Sequence, residues 1–192
     1  MSLLDKLLPV EKFFFLLLYA PVFSERPEPI QGGTWLQKEM YVISKNFSLM
    51  EEAAYESYRY GSFSEIVDEI KDQYQISRYL EKTNGSIRLT AKGEKTASEI
   101  WQGVDDNTKR LVQDIKREYN DMKLWELLLF MYVTYPETAE NSDVKDKVLR
   151  NRLQLAQNLL KRKKVSLQKA AELAGVKIED FIQQLKKNNK EP

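Results

Sequence analysis

Four consecutive cations, Lys161-Arg162-Lys163-Lys164, precede the run Val165-Ser166-Leu167-Gln168-Lys169-Ala170-Ala171-Glu172-Leu173-Ala174-Gly175. Lys177, Gln183, Gln184, Lys186 and Lys187 follow it. Ammonium and guanidinium groups at this density neutralise phosphates and release their counterions. A carboxamide carries the donor–acceptor pair that fits an adenine edge. Ser166, Gln168 and Lys169 open a helix whose first backbone N–H groups can hold a phosphate. The candidate DNA-binding residues are therefore Lys161, Arg162, Lys163, Lys164, Ser166, Gln168, Lys169, Lys177, Gln183, Gln184, Lys186 and Lys187. The cations would position a duplex, and the two glutamines would read it. Glu179 and Asp180 weigh against this. They stand in the first turn of the second helix, where carboxylates repel phosphates, although they accept from cytosine and favour a helix N-terminus. A compact packing pair with a solvated lysine tail is the alternative for the same residues.

The charge distribution makes the segment stand out. From Lys145 to Pro192 there are 13 Lys/Arg against 5 Asp/Glu, a net of +8, whereas residues 1–144 hold 17 basic and 24 acidic side chains, a net of −7. The total of +1 conceals a polarised chain. Such a basic segment with a two-helix pattern points to nucleic acid.

Other chemistry is excluded by composition. There is no Cys and no His, so thiol nucleophiles, zinc–thiolate sites and Ser-His-Asp mechanisms are absent. No catalytic residue, cofactor or metal ligand set is assigned, and the chain is not expected to be an enzyme. Glu51, Glu52 and Glu56 read as solvated surface rather than a cation site. Gly32-Gly33-Thr34 lacks the spacing and lysine of a phosphate loop. Tyr55, Tyr58 and Tyr60 read as half-buried packing more readily than as a stacking platform for bases. The apolar run Phe13 to Ala20 is too short to span a bilayer, and Glu11 abuts it, unlike a signal peptide. A cytoplasmic protein with no membrane association is expected.

The elements that must position these residues are mostly helical. A buried helix is predicted over 7–19 and is stopped by Pro21. A second helix opens near Thr34 as N-cap, with Leu36, Met40 and Ile43 inward. Ser64 caps a helix over 65–74 with Val67, Ile70 and Tyr74 on its apolar stripe. Extended runs 76–81 and 86–89 flank Asn84-Gly85, a hairpin signal, and Thr90 caps a helix to about Trp101. Helix, helix, helix, hairpin, helix is the order of a winged-helix domain. On the hairpin, Arg78, Lys82 and Arg88 are candidate phosphate contacts. The third helix exposes Glu65, Asp68, Glu69 and Asp72 with only Lys71 to offset them. This face opposes DNA and suits a protein partner. Helices over 105–119 and 124–135 follow, then a long one from Ser142 to Arg162, a plausible dimer or docking element. The last two helices place Ile178, Phe181, Ile182 and Leu185 inward, and the end from Asn188 reads as frayed.

Two stretches resemble known families. Leu17-Leu18-Tyr19-Ala20-Pro21, Glu28-Pro29-Ile30-Gln31-Gly32, Leu36-Gln37-Lys38, Tyr60-Gly61-Ser62-Phe63-Ser64, Leu89-Thr90-Ala91-Lys92-Gly93 and Tyr135-Pro136-Glu137 carry the first. On these, residues from about Leu7 to Leu149 resemble an uncharacterised YwgA-like winged-helix family of archaea and bacteria, which usually has Pro in place of Ser62. Ser166, Leu167, Ala170, Ala171, Glu172, Leu173, Ala174, Gly175 and Phe181 carry the second. On these, residues from about Leu149 to Lys187 resemble a small family linked to prokaryotic antitoxins. That family usually has Gly before a Lys where this chain has its four cations. The first resemblance implies a fold and little about activity. Neither implies catalytic residues.

The expected fold class is mainly α: a winged helix-turn-helix with a small β-hairpin wing, a helical extension and a C-terminal helix-turn-helix. The expected divisions are 1–103, a helical connector 104–143, and a basic segment 144–192. The expected function is a DNA-binding transcriptional regulator or antitoxin-like protein. It would act as a homodimer on double-stranded DNA, with a toxin-like protein as a further partner. The alternative is a protein–protein interaction module that uses the acidic winged-helix face and binds no nucleic acid.

Overall fold

The computed structural model describes residues 6–188. The chain is mainly helical, with two small antiparallel hairpins. It divides into two compact units. The first comprises residues up to Glu56 together with Ser62–Asp121, and the second comprises Ser57–Gly61 together with residues from Met122 onward.

The first unit is built around α1 (Pro9–Tyr19), whose Val10 and Phe14 to Leu18 are buried. Pro9 suits the first helical position because its missing N–H would be unbonded there anyway. The Glu11 carboxylate accepts from the Leu8 N–H at 2.8 Å, which satisfies an orphan donor. Packed on α1 are α2 (Gly33–Asn46), α4 (Glu65–Ile76), α5 (Ala91–Gln102) and α6 (Asp106–Tyr119). The short α3 (Met50–Ala53) follows α2. Phe15 and Tyr74 rings lie 4.7 Å apart edge-on, and Tyr79 joins the same cluster at 5.6 Å from Tyr74.

Local signals place most ends. The Ser64 hydroxyl accepts from Val67 N–H at 3.0 Å and opens α4. Thr90 accepts from Gly93 N–H at 3.2 Å and opens α5. Strands β3 (Leu80–Thr83) and β4 (Ser86–Leu89) pair in the register Leu80↔Leu89, Glu81↔Arg88, Lys82↔Ile87 and Thr83↔Ser86. Asn84 and Gly85 both have left-handed φ, 52° and 86°, as a two-residue hairpin turn requires. Ile30 adds a backbone bridge to the other edge of β4 through Ile87. The other hairpin, β1 (Glu56–Tyr58) and β2 (Gly61–Phe63), turns at Arg59-Tyr60.

Several boundaries differ from the sequence reading. Gly32, not Thr34, is the N-cap of α2. The extended run predicted from Ile76 starts only at Leu80, because α4 continues through Ile76 and Arg78 then takes φ 59° in its C-terminal cap. The helix predicted from Ser142 to Arg162 is two helices, α8 (Lys145–Arg150) and α9 (Arg152–Lys161). Val144, not Ser142, is the N-cap of α8; the Ser142 hydroxyl bonds Tyr132 at 2.6 Å and the Arg59 carbonyl at 3.1 Å, and accepts a long bond from Val144 N–H at 3.4 Å. At the break, Asn151 turns its amide back onto the Lys147 carbonyl at 2.8 Å, a side-chain bond that competes with the helical ladder.

In α2 every residue from Leu36 to Ser44 is buried, not only the periodic apolar ones. Lys38 donates to the Ser62 carbonyl at 2.6 Å. Gln37 pairs with the Ser64 backbone in both directions, at 3.0 and 2.9 Å. From α6, the Lys116 ammonium reaches the carbonyls of Leu18 and Ala20 at 3.2 and 3.0 Å. Glu39 is wholly buried and neither carboxylate oxygen has a hydrogen-bond partner. Gln31 and Glu28 are ties of the same kind. The Gln31 N–H donates to Asn120 Oδ1 at 3.0 Å, and Glu28 accepts from the N–H groups of Val22, Phe23 and Ser24, each at 2.9 Å.

The second unit is centred on α7 (Leu124–Thr134), where Glu126 to Tyr132 are all buried. A 3₁₀ turn (Pro136–Ala139) ends it. Packed on α7 are α8, α9 and α10 (Leu167–Ala174), and α11 (Ile178–Asn188) packs on α10. The rest of the expected frayed end, 189–192, lies outside the described residues. Among the described residues no helix is long and apolar enough to cross a membrane.

Candidate nucleic-acid interface

The basic run Lys161-Arg162-Lys163-Lys164 is the C-terminal cap of α9. Lys163 N–H donates to Leu160 O and Lys164 N–H to Leu159 O, both at 2.9 Å. This is the double-bonded cap that needs a left-handed residue, usually glycine. Here Lys163 supplies it, with φ 57°. Arg162 points inward. Its guanidinium donates to Glu126 Oε2 at 2.5 Å, and that carboxylate is 1% exposed. The same oxygen accepts from Lys123 N–H at 2.9 Å. Lys161 and Lys163 are exposed, and Lys164 is half-buried.

Ser166 caps α10, accepting from Lys169 N–H at 3.1 Å. Ala170, Ala171, Leu173 and Ala174 are buried, and the three alanines are small enough to allow close approach to α9. Gln168 is exposed. Lys169 is held by its own helix and the core: its ammonium lies 2.9 Å from Glu172 and 5.2 Å from the centre of the Phe130 ring. Gly175 turns the chain with φ 70°. Arg152 covers the end of α10, donating to Leu173 O at 2.9 Å and Glu172 O at 3.3 Å.

The turn Gly175-Val176-Lys177 leads into α11. Phe181 is fully buried, and Ile182 and Leu185 are half-buried. Ile178, expected inward, is instead 36% exposed. Lys177, Gln183, Lys186 and Lys187 are exposed and Gln184 is half-buried. Glu179 and Asp180 are exposed in the first turn.

Five exposed cations, Lys161, Lys163, Lys177, Lys186 and Lys187, therefore lie within or next to the helix pair along the chain, and none is ion-paired among the described residues. Arg162 and Lys169 are engaged in holding the unit. Sequence reasoning missed Glu126 and Arg152. Glu126 had a signal, as the lone charge in the apolar stretch 124–135. Arg152 had a weaker one, as a cation interrupting the apolar face of α9.

The first unit holds the other named residues. Arg88 is paired with its cross-strand neighbour Glu81 at 2.7 Å, Lys82 is exposed on β3, and Arg78 is exposed at the end of α4 rather than on a strand. Glu65, Glu69 and Asp72 are exposed and Asp68 half-buried. Lys71 is paired to both Asp68 and Asp72. Glu52 is turned to the Val10 N–H at 3.1 Å. Among the described residues no group of three or more Asp or Glu is placed to hold a metal ion. Comparison with protein-family models, with curated proteins and with solved structures gives no match.

Proposed function

We propose that this chain is a DNA-binding transcriptional regulator, antitoxin-like in its C-terminal part, that contacts duplex DNA mainly through α10, its turn and α11. The observation that carries the reading is the pair itself. A left-handed turn at Gly175 and a buried seam at Ala170, Ala171, Ala174 and Phe181 fix two short helices. Their outer surface bears Lys177, Gln183, Lys186 and Lys187. Two helices joined by a short turn are how helix-turn-helix proteins deliver one helix to the major groove.

In this reading the first unit is a winged helix, in line with its resemblance to the YwgA-like family. Its order supports that: α1, the Ile30 bridge, α2, α4, then β3 and β4. Its helix α4 turns carboxylates outward, so the unit serves a protein partner or assembly rather than a DNA groove. The protein acts in the cytoplasm as a homodimer on paired half-sites.

The test is anisotropy titration of the full-length protein against duplex DNA between about 50 and 200 mM salt. Five neutralised phosphates would give a slope of log affinity against log salt of about −4.5. Reversal at Lys177→Glu with Lys186→Glu is expected to remove most binding. No binding at the lowest salt, or binding untouched by the reversal, overturns the reading. Binding by the reversed protein that is lost on changing Arg78 and Lys82 would move the site to the first unit.

A further inference from the structure

We propose that Lys163 is a phosphate contact preset by the backbone, and that Arg162 is its positioning residue, anchored on Glu126. The inference rests on the DNA-binding reading above and says how that surface is held ready.

Among the described residues α4, α9 and α10 end in the same double-bonded cap, and α2 ends with a left-handed Ser48 and one of the two bonds, Leu49 N–H to Ser44 O at 2.9 Å. After α10 the left-handed residue is Gly175, bonded from its N–H to Glu172 O at 2.9 Å, with Val176 N–H to Ala171 O at 3.2 Å. After α4 it is Arg78, and after α9 it is Lys163. Glycine takes this conformation at no steric cost and a side chain does not. A cation beside a helix C-terminus gains from the helix dipole, which is the local explanation for a lysine here. That gain is small at Lys163. The nearest carbonyls, Leu159 and Leu160, already accept from Lys164 and Lys163 N–H, and the side chain extends into solvent. Retaining a long charged side chain in a strained position fits a functional use of the ammonium.

The neighbouring side chain anchors the end of α9 that carries the cap. Arg162 turns into the unit and closes on the buried Glu126, which α7 also ties to Lys123 N–H. With Arg162 held inward and the cap closed by two backbone bonds, the backbone at Lys163 is fixed and its side chain leaves from there into solvent. The backbone at Lys163 is already fixed, so meeting a phosphate costs only the rotamer freedom of its side chain, and sparing the backbone part is how preorganisation raises affinity here.

The experiment uses the full-length protein, a mixed-sequence duplex and thermal melting in parallel. Lys163→Gly is expected to melt at the same temperature or higher, because the strain is gone. It is also expected to bind several-fold more weakly, with a salt slope shallower by about 0.9, the loss of one phosphate. Glu126→Gln is expected to weaken binding by loosening Arg162. Tighter binding by Glu126→Gln would mean that Glu126 withholds Arg162 from DNA, and would overturn the positioning role. Unchanged affinity and slope in Lys163→Gly, with the unsubstituted protein binding, would overturn the contact and leave the DNA-binding reading intact. No binding by the unsubstituted protein would overturn both.

Discussion

The guanidinium of Arg152 occupies the space that any side chain on Gly175 would need. A Cβ at Gly175 would stand 2.2 Å from Arg152 Cζ. Glycine there is favoured by the left-handed φ, and any side chain would also have to displace the arginine tip that covers the end of α10.

Gly175→Ala is therefore expected to destabilise the second unit by about 1–3 kcal/mol for the backbone alone, plus whatever Arg152 loses by leaving the Leu173 and Glu172 carbonyls. Chemical denaturation of Gly175→Ala, Arg152→Ala and the double variant measures the coupling. The double is expected to cost less than the sum of the singles. Strict additivity would mean that the two residues do not share the space.

A second glycine pair gives a contrast within the first unit. A Cβ on Gly93 would meet the Tyr79 backbone oxygen at 2.1 Å, whereas one on Gly33 would meet nothing within 4 Å. Backbone cannot swing aside as a side-chain tip can, so Gly93→Ala is expected to cost about 3 kcal/mol. Gly33→Ala is expected to be neutral or to stabilise by up to about 1 kcal/mol through the unfolded chain. Urea midpoints of the two variants check this, and equal midpoints would refute it.

These positions also mark what was legible in the sequence. Ser64, Thr90, Asn84-Gly85 and Gly175 act within a few residues of themselves, and each does the local task its type suggested. What was not legible depends on partners far along the chain. Periodicity placed Leu36, Met40 and Ile43 inward but could not foresee that the Ser62 and Ser64 backbones would draw Gln37 and Lys38 in as well. The four-cation run and Lys169 read as one set of phosphate contacts, because nothing local reveals that Glu126 claims Arg162 or that Phe130 and Glu172 hold Lys169. The break at Asn151 was missed for a related reason. A leucine-rich face continues through it, and only the side chain's bond back to Lys147 interrupts the ladder.

The buried ionisable groups of the first unit give a pH dependence whose sign can be worked out. Burial pushes Lys38 down to about 7. It pushes Lys116 down to about 8, opposed by the nearby charges of Glu39 and Glu28. Unfolded lysines hold their protons to about pH 10.4. Above pH 7 the unfolded chain thus binds more protons, and stability rises with pH. Glu39 runs the other way. Burial raises it well above the ordinary carboxylate range despite Lys116, so its contribution is present in acid and is lost as pH rises through its folded pKa. Tyr55 and Tyr74 are both raised, by burial first. Their contributions begin to fall away above about pH 10, which closes the window. Melting temperature is expected to climb from pH 7 to about 9.5, and Lys38→Met is expected to flatten that climb while lowering the absolute value by orphaning the Ser62 carbonyl. A climb undiminished in Lys38→Met would take the effect away from Lys38.

The tip Ser57–Gly61 belongs to the second unit, where the Arg59 carbonyl accepts from Asp143 N–H at 3.1 Å and from the Ser142 hydroxyl. During synthesis this tip leaves the ribosome some eighty residues before the residues that bond to it. The second unit therefore cannot complete itself until most of the chain has been made. Nor can a single proteolytic cut release it whole: a fragment beginning at Met122 would lack the acceptor for Ser142 and Asp143.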